Sequence, residues 1–311
     1  MSSPKKTRGL SSVSELRDQR QNDKYGVRFM SPKVLLGAIG LVLAVSGALY
    51  AINDRKFEAR RRALQKRSED TEKTLGIEWA RLRDRLEGHM MDLAKPYVDD
   101  YISPKHKGWN FRTSPGLYVR AHRSATQDPI KLRSAILYGQ RDGVAGCLLE
   151  THNDDAIRGV ADAGAFAEQP WNLRRAYESV RVLDELWRSE VVAAKDMQLR
   201  VLEAQFDVSV RDEIPLALRI VKEAEFFLFV VDEELEGNSP SHVTPMSDLQ
   251  RIEHPVRIGL VNMKSGELDA RLRIVTSATA TYPTSDEETR ATIERQANNC
   301  AIGRLAKSKL E

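Results

Sequence analysis

The 311 residues are 41% hydrophobic and 30% charged, a balance that excludes a wholly disordered chain and a multi-spanning bundle and leaves ample length for one sizeable core. The net charge of +3 hides an asymmetry: residues 1–73 hold 16 Lys or Arg against 8 Asp or Glu, whereas the remainder holds 32 against 37. Basic excess beside an apolar segment favours anionic lipid headgroups, by about 1 kcal/mol per Lys or Arg, and no nucleic-acid partner is expected because the folded part is acidic.

Residues 1–33 are rich in Ser, Lys, Arg and Asp without apolar periodicity and are expected to form a disordered basic tail. The 19 residues from Val34 to Ile52 carry no charge and only Ser46 and Tyr50 as polar side chains. As a helix they span about 28 Å, close to the hydrocarbon thickness of a bilayer, so a transmembrane helix contacting membrane lipid is expected. The preceding 33 residues exceed a usual signal-peptide n-region, which favours an uncleaved signal-anchor.

Eight Lys or Arg precede this segment and eight follow it by Lys73, so the positive-inside rule is nearly silent. Long C-terminal domains translocate largely regardless of charge, whereas a tail with eight positive charges resists export. The expectation is a single-pass protein of a cell inner membrane with a periplasmic domain, although the Arg60, Arg61, Arg62 triplet argues the other way. Gly40, Ala44, Ala48 and Ala51 form a ridge of small residues that permits a homodimer through anchor and stalk.

Residues 53–97 are expected to form a helical stalk. Its first half is polar all round, and from Leu75 onward Trp79, Leu82, Leu86, Met90, Leu93 and Tyr97 recur at spacings of three and four. That stripe either seals against the domain or forms a short coiled coil; Trp79 and the methionines suit docking better than a regular seam.

Residues 98–311 are read as a soluble α/β (or α+β) sandwich with a mixed sheet of about six strands. A loop carrying Trp109 and Phe111 is expected to tuck on the core. A strand is predicted at 116–122, and a hairpin at 134–139 and 144–150 around Asp142-Gly143. A long helix follows over 171–197. A half-buried strand at 199–210, a helix at 212–224 and an apolar strand at 226–231 then suggest a βαβ unit. Residues 235–254 read as a loop, 256–263 and 268–276 as a second hairpin, and Ser285 to about Lys309 as a closing helix.

The segment FFLFVVDE, ending in Asp232 and Glu233, has the form of a magnesium-binding strand end in a nucleotide site, but no GxxxxGK[ST] loop exists to hold phosphates. Those acids, with Glu234 and Glu236, are therefore expected to be a solvated strand end, and neither nucleotide nor any other cofactor is expected. The six histidines show no metal-ligand spacing, and His152, Asn153, Asp154 and Asp155 read as a polar loop and helix cap. Cys147 and Cys300 read as buried, inert thiols, with one long-range bridge open to them in an oxidising compartment. No GxSxG elbow is present.

With no catalytic motif, the leading expectation is a membrane-anchored protein-interaction or assembly factor, of a bacterial cell envelope, with a protein partner. The alternatives are a carboxylate-based hydrolase using Asp232 and Glu233, or a ligand-sensing domain.

Overall fold

The computed structural model describes residues 32–106, 108–139, 142–149, 170–234, 244–276 and 286–311. The chain divides into two units, Met1–Arg60 and Arg61–Glu311. Helix α1 (Pro32–Thr71) opens on a proline, whose missing N–H is of no consequence in the first turn. The helix from Leu35 is long and apolar enough to cross a membrane, and none of its apolar window is buried, unlike a core helix.

A π-helical turn (Glu72–Gly76) joins α1 to α2 (Ile77–Ala94). Leu64 and Ser68, expected in a solvated stretch, are instead buried, and the Ser68 hydroxyl donates to the Val182 carbonyl at 2.9 Å. Trp79, Leu86, Met90 and Leu93 of α2 are buried. Its stripe packs on the sheet, as docking on the core requires.

Among the described residues six strands form the mixed sheet: β1 (Tyr101–Ile102), β2 (Gly116–His122), β3 (Trp171–Asn172), β4 (Phe226–Asp232), β5 (Pro255–Asn262) and β6 (Leu268–Val275). Their order is β1-β6-β5-β4-β2-β3. β2 lies parallel to β3 and β4, and the β4-β5-β6-β1 half is antiparallel. Helices cover both faces, which explains why β4 is apolar at consecutive positions rather than alternating.

One face packs Tyr118, Leu228, Ile258 and Leu272 against α4 (Val144–Leu148) and α10 (Glu287–Leu310). The opposite face meets α2 and α3 (Pro129–Tyr138). Trp109 and Phe111 sit against this structure as a tucked loop: Phe111 is fully buried and Trp109 Nε1 donates to Asp269 at 2.7 Å.

Four predicted elements are corrected. The hairpin over 134–150 is two helices, α3 and α4. Asp128 accepts from the Ile130 and Lys131 amides ahead of Pro129, a helix start that outweighs the apolar run behind it. Asp142 caps the Val144 amide at 3.0 Å instead of making a hairpin turn.

The strand at 199–210 is a helix, α7 (Asp196–Val208). Its fully buried side chains, Leu199 and Phe206, stand two helical turns apart, so the short alternation Ala204, Phe206, Val208 was a misleading sample of a longer period. The βαβ unit at 199–231 therefore dissolves; the parallel partner of β4 is β2, reached across a largely helical connection. The long helix at 171–197 is broken into β3, α5 (Arg174–Val180), a 3-10 turn (Arg181–Leu183) and α6 (Glu185–Ala193).

After a π turn (Ser209–Glu213), α8 (Ile214–Glu223) follows as read, with Pro215 in its first turn. The stretch read as a loop contains a short helix, α9 (Met246–Leu249), and residues 235–243 lie outside the described ones. The second hairpin and closing helix form as expected, the latter capped by Asp286 accepting from the Thr289 amide at 2.9 Å; Ser285 lies outside the described residues.

Two glycines are fixed by aromatic rings. A Cβ on Gly116 would fall 2.0 Å from Cζ of Phe226, its ladder partner, and one on Gly259 would fall 2.2 Å from Cζ of Phe229. Gly116→Ala is expected to lower unfolding stability by about 1–3 kcal/mol through overpacking, read as a reduced urea midpoint. An unchanged midpoint would mean that the Phe226 ring moves aside freely.

Candidate functional site

The carboxyl ends of parallel strands are where open α/β sheets ordinarily present ligand-binding groups. Here β2 and β4 end side by side, with His122 paired to Asp232 in the ladder. Side chains alternate across the sheet, so Arg120 and Asp232 project to the face beneath α10, while Glu233 projects to the face beneath α2.

On the α10 side, Arg120 grips Asp232 with two parallel bonds, Nε to Oδ2 at 2.8 Å and Nη2 to Oδ1 at 2.6 Å, and its Nη1 donates to Asn299 at 2.6 Å. His254 Nε2 lies 2.7 Å from Asp232 Oδ1, and its Nδ1 lies 2.9 Å from the Ile252 carbonyl. A carbonyl only accepts, and an ionised carboxylate only accepts. The ring thus bridges the Asp232 carboxylate and the Ile252 carbonyl.

Asp232 thus lies between Arg120 and His254 with no solvent exposure. Burial would push its pKa up, but the charge and hydrogen bonds of Arg120, then those of His254, overcome this and hold it down to about 2. Beside this group the Tyr118 hydroxyl donates to Asp142 at 2.8 Å, and burial drives both pKa values up.

On the α2 side, Glu233 accepts from Arg257 and, at 2.7 Å, from Arg273, with Arg123 3.4 Å away. Burial again opposes ionisation, and the arginine hydrogen bonds outweigh it, leaving the Glu233 pKa lowered. Arg257 also donates to the Leu93 carbonyl at 2.7 Å and to the Lys95 carbonyl, which fastens the end of α2 to the sheet.

The solvated strand end expected at Asp232 and Glu233 is therefore wrong: both acids are buried and fully engaged with internal cations. The physical reason is the parallel pairing of β2 with β4, which places an arginine from one apolar strand beside an aspartate from the other. Arg120 inside GLYVRAH and Asp232 at the end of FFLFVVD are opposite charges in two strands otherwise suited to burial. That was the signal available for their pairing, since a buried charge requires a partner.

Cys147 and Cys300 come together across α4 and α10 as a disulfide, with Cα atoms 4.9 Å apart. This corrects the reading as free thiols and selects the bridge that the sequence left open. His152, Asn153, Asp154 and Asp155 lie outside the described residues. Among the described residues no group of three or more His, Cys, Asp or Glu is placed to hold a metal ion.

A groove of about 720 Å³ lies elsewhere, between α5, α7 and α8, with Trp171, Val201, Val208, Leu216 and Ile220 in its wall. No protein-family model, curated protein or solved structure matches this chain.

Proposed function

We propose that this chain is a membrane-anchored interaction or assembly factor of a bacterial cell envelope, with residues 34–52 in the inner membrane and the folded unit on the periplasmic side. The observation that carries the compartment is the Cys147–Cys300 bridge, because disulfides persist in oxidising compartments and are rare in the cytosol. The anchoring supports it through the exposed apolar helix from Leu35. The role as an interaction factor draws support from Asp232 and Glu233, whose carboxylates are engaged internally rather than turned toward a substrate. The small-residue ridge of α1 offers a surface on which two anchors pair.

Protease added to intact spheroplasts tests the orientation. The expected result is digestion of the folded unit without lysis, together with a gel shift by maleimide-polyethylene glycol that requires prior reduction. Protection until the membrane is broken, with both cysteines labelled without reductant, would place the unit in the cytoplasm and remove the proposal's basis. A photo-crosslinking residue at position 201 tests the interaction role in cells: discrete protein adducts are expected, and their complete absence around the groove would count against it.

A further inference from the structure

The turn after β2 holds an arrangement that neither buried network uses. Ser124 Oγ lies 2.7 Å from His122 Nδ1, and the Ser124 amide donates to the same nitrogen at 3.2 Å. A nitrogen that receives a backbone N–H is an acceptor, so Nδ1 is unprotonated and the serine hydroxyl donates to it. The ring proton then resides on Nε2, which faces Glu234 Oε1 at 3.2 Å but off the line of a well-formed hydrogen bond. Both Glu234 oxygens are held from the other side by Thr244, its amide at 2.7 Å and its hydroxyl at 2.8 Å.

A hydroxyl, a base within reach of it and a third group that orients the base make up the general signature of an activated nucleophile. The off-line contact to Glu234 is of the kind that tightens when substrate binds. Burial lowers the His122 pKa, the charges of Glu234 and Asp232 raise it, and the neighbouring His254 lowers it again, for a net decrease. The ring is thus neutral near pH 7, as a general base must be. Ser124 is half-buried in the turn, open to solvent on one side.

We propose that Ser124, His122 and Glu234 form a nucleophile, base and orienting carboxylate that give this domain an ester-hydrolase activity. This goes beyond the anchoring and interaction role and does not depend on it. Ser124 Oγ attacks the ester carbonyl carbon as its proton passes to His122 Nδ1, and Glu234 stabilises the imidazolium through Nε2–H. The tetrahedral adduct collapses with cleavage of the carbon–oxygen bond to the alcohol, which leaves with the proton from Nδ1. Water then attacks the acyl-serine, giving one proton to Nδ1, and that proton returns to Ser124 Oγ as the carboxylic acid departs.

The amides of the turn decide the substrate class. Ser124 N–H is engaged with His122 Nδ1, Ala125 N–H with the His122 carbonyl, and Thr126 N–H with the carbonyls of His122 and Arg123. None is free to hold an oxyanion, and a missing oxyanion donor costs on the order of a hundredfold or more in rate. Amides are therefore beyond this site. Esters with good leaving groups, aryl or thioesters, are within it.

The test is labelling of the detergent-solubilised full chain with a fluorophosphonate, followed by peptide mass spectrometry. Labelling forms the Oγ–phosphorus bond and releases fluoride, with the hydroxyl proton taken by His122. A single adduct on Ser124 is expected. It should be lost in Ser124→Ala, slowed about a hundredfold or more in His122→Gln, and, as the labelling pH is lowered, diminished through the titration of His122 below its ordinary range. Glu234→Gln should shift that pH profile rather than abolish labelling, as befits a positioning residue. Ser124→Ala and Glu234→Gln are expected to leave the melting temperature unchanged, so their results stand even where His122→Gln fails to fold. No adduct on Ser124 in the folded protein, an adduct only at other residues, or a pH profile indifferent to Glu234→Gln would overturn the proposal.

Discussion

Asp232→Ala is expected to lower the stability of the folded unit by about 3–5 kcal/mol, because it strands the Arg120 guanidinium, and leaves the His254 ring without its partner, in a site without solvent. Against a total of about 5–15 kcal/mol for a folded domain this is a large fraction. Urea denaturation at pH 7 reads it as a fall in the midpoint with little change in slope. Removing both charges is a different matter. A paired replacement, Arg120→Met with Asp232→Leu, exchanges a desolvated ion pair for apolar contact and should recover most of the loss, once His254 is also replaced by an apolar side chain.

The same group sets the acid response. The Asp232 pKa is held down to about 2 from an ordinary 3.8, so its contribution is complete above about pH 4 and is lost as the pH falls through about 2. Glu233, also lowered, acts in the same direction, whereas Asp142, raised by burial, acts in the opposite one. Comparison of wild type with Asp232→Asn across pH 4 to 2 therefore isolates the Asp232 contribution: the wild type should lose its advantage over that window. A constant difference between the two proteins from pH 5 to 2, or a single Asp232→Ala variant within about 1 kcal/mol of wild type, would show that the ion pair does not hold this end of the sheet.

Reduction of Cys147–Cys300 is expected to have an effect of similar size. The bridge spans a sequence separation of 153 residues. Chain-entropy arguments give about 5 kcal/mol for a closed loop of that length, and native disulfides commonly deliver about 2–5 kcal/mol. The bridge fastens α4, a helix of only five residues, to α10, where a Cβ on Gly303 would already meet the Val144 carbonyl at 3.0 Å. Cys147→Ala combined with Cys300→Ala should lower the urea midpoint to the value that wild type shows with reductant. In denatured protein purified without reductant, no free thiol should react. Two reactive thiols per chain, with a midpoint insensitive to reductant, would remove the bridge from the native state.

Sequence by itself determined the elements whose pattern is long and local. The long apolar helix near the N-terminus follows from 19 residues without a charge, and the hairpin of β5 and β6 from an apolar run and an alternating run around Ser265-Gly266, with Gly266 at φ +76°. The helix α10 follows from acids at its start and lysines at its end. The docking stripe of α2 was legible for the same reason: its period is helical over many residues.

Tertiary structure alone decided the elements whose local pattern is short or ambiguous. Residues 134–138, 144–148 and 199–208 are apolar enough for strands, but they fold as the helices α3, α4 and α7, the first capped by Asp128 and the last burying Leu199 and Phe206 two turns apart. The pairing of β2 with β4 joins segments more than a hundred residues apart, and nothing local specifies it. Arg120, Asp232, His254 and Asn299 come from separate elements, and Glu234 meets the local pair His122 and Ser124 only across the sheet end, so neither set carries a shared spacing. A periodic pattern is a property of one segment, whereas a charge site or a disulfide is a property of distance between segments. That distance exists only once the sheet has formed.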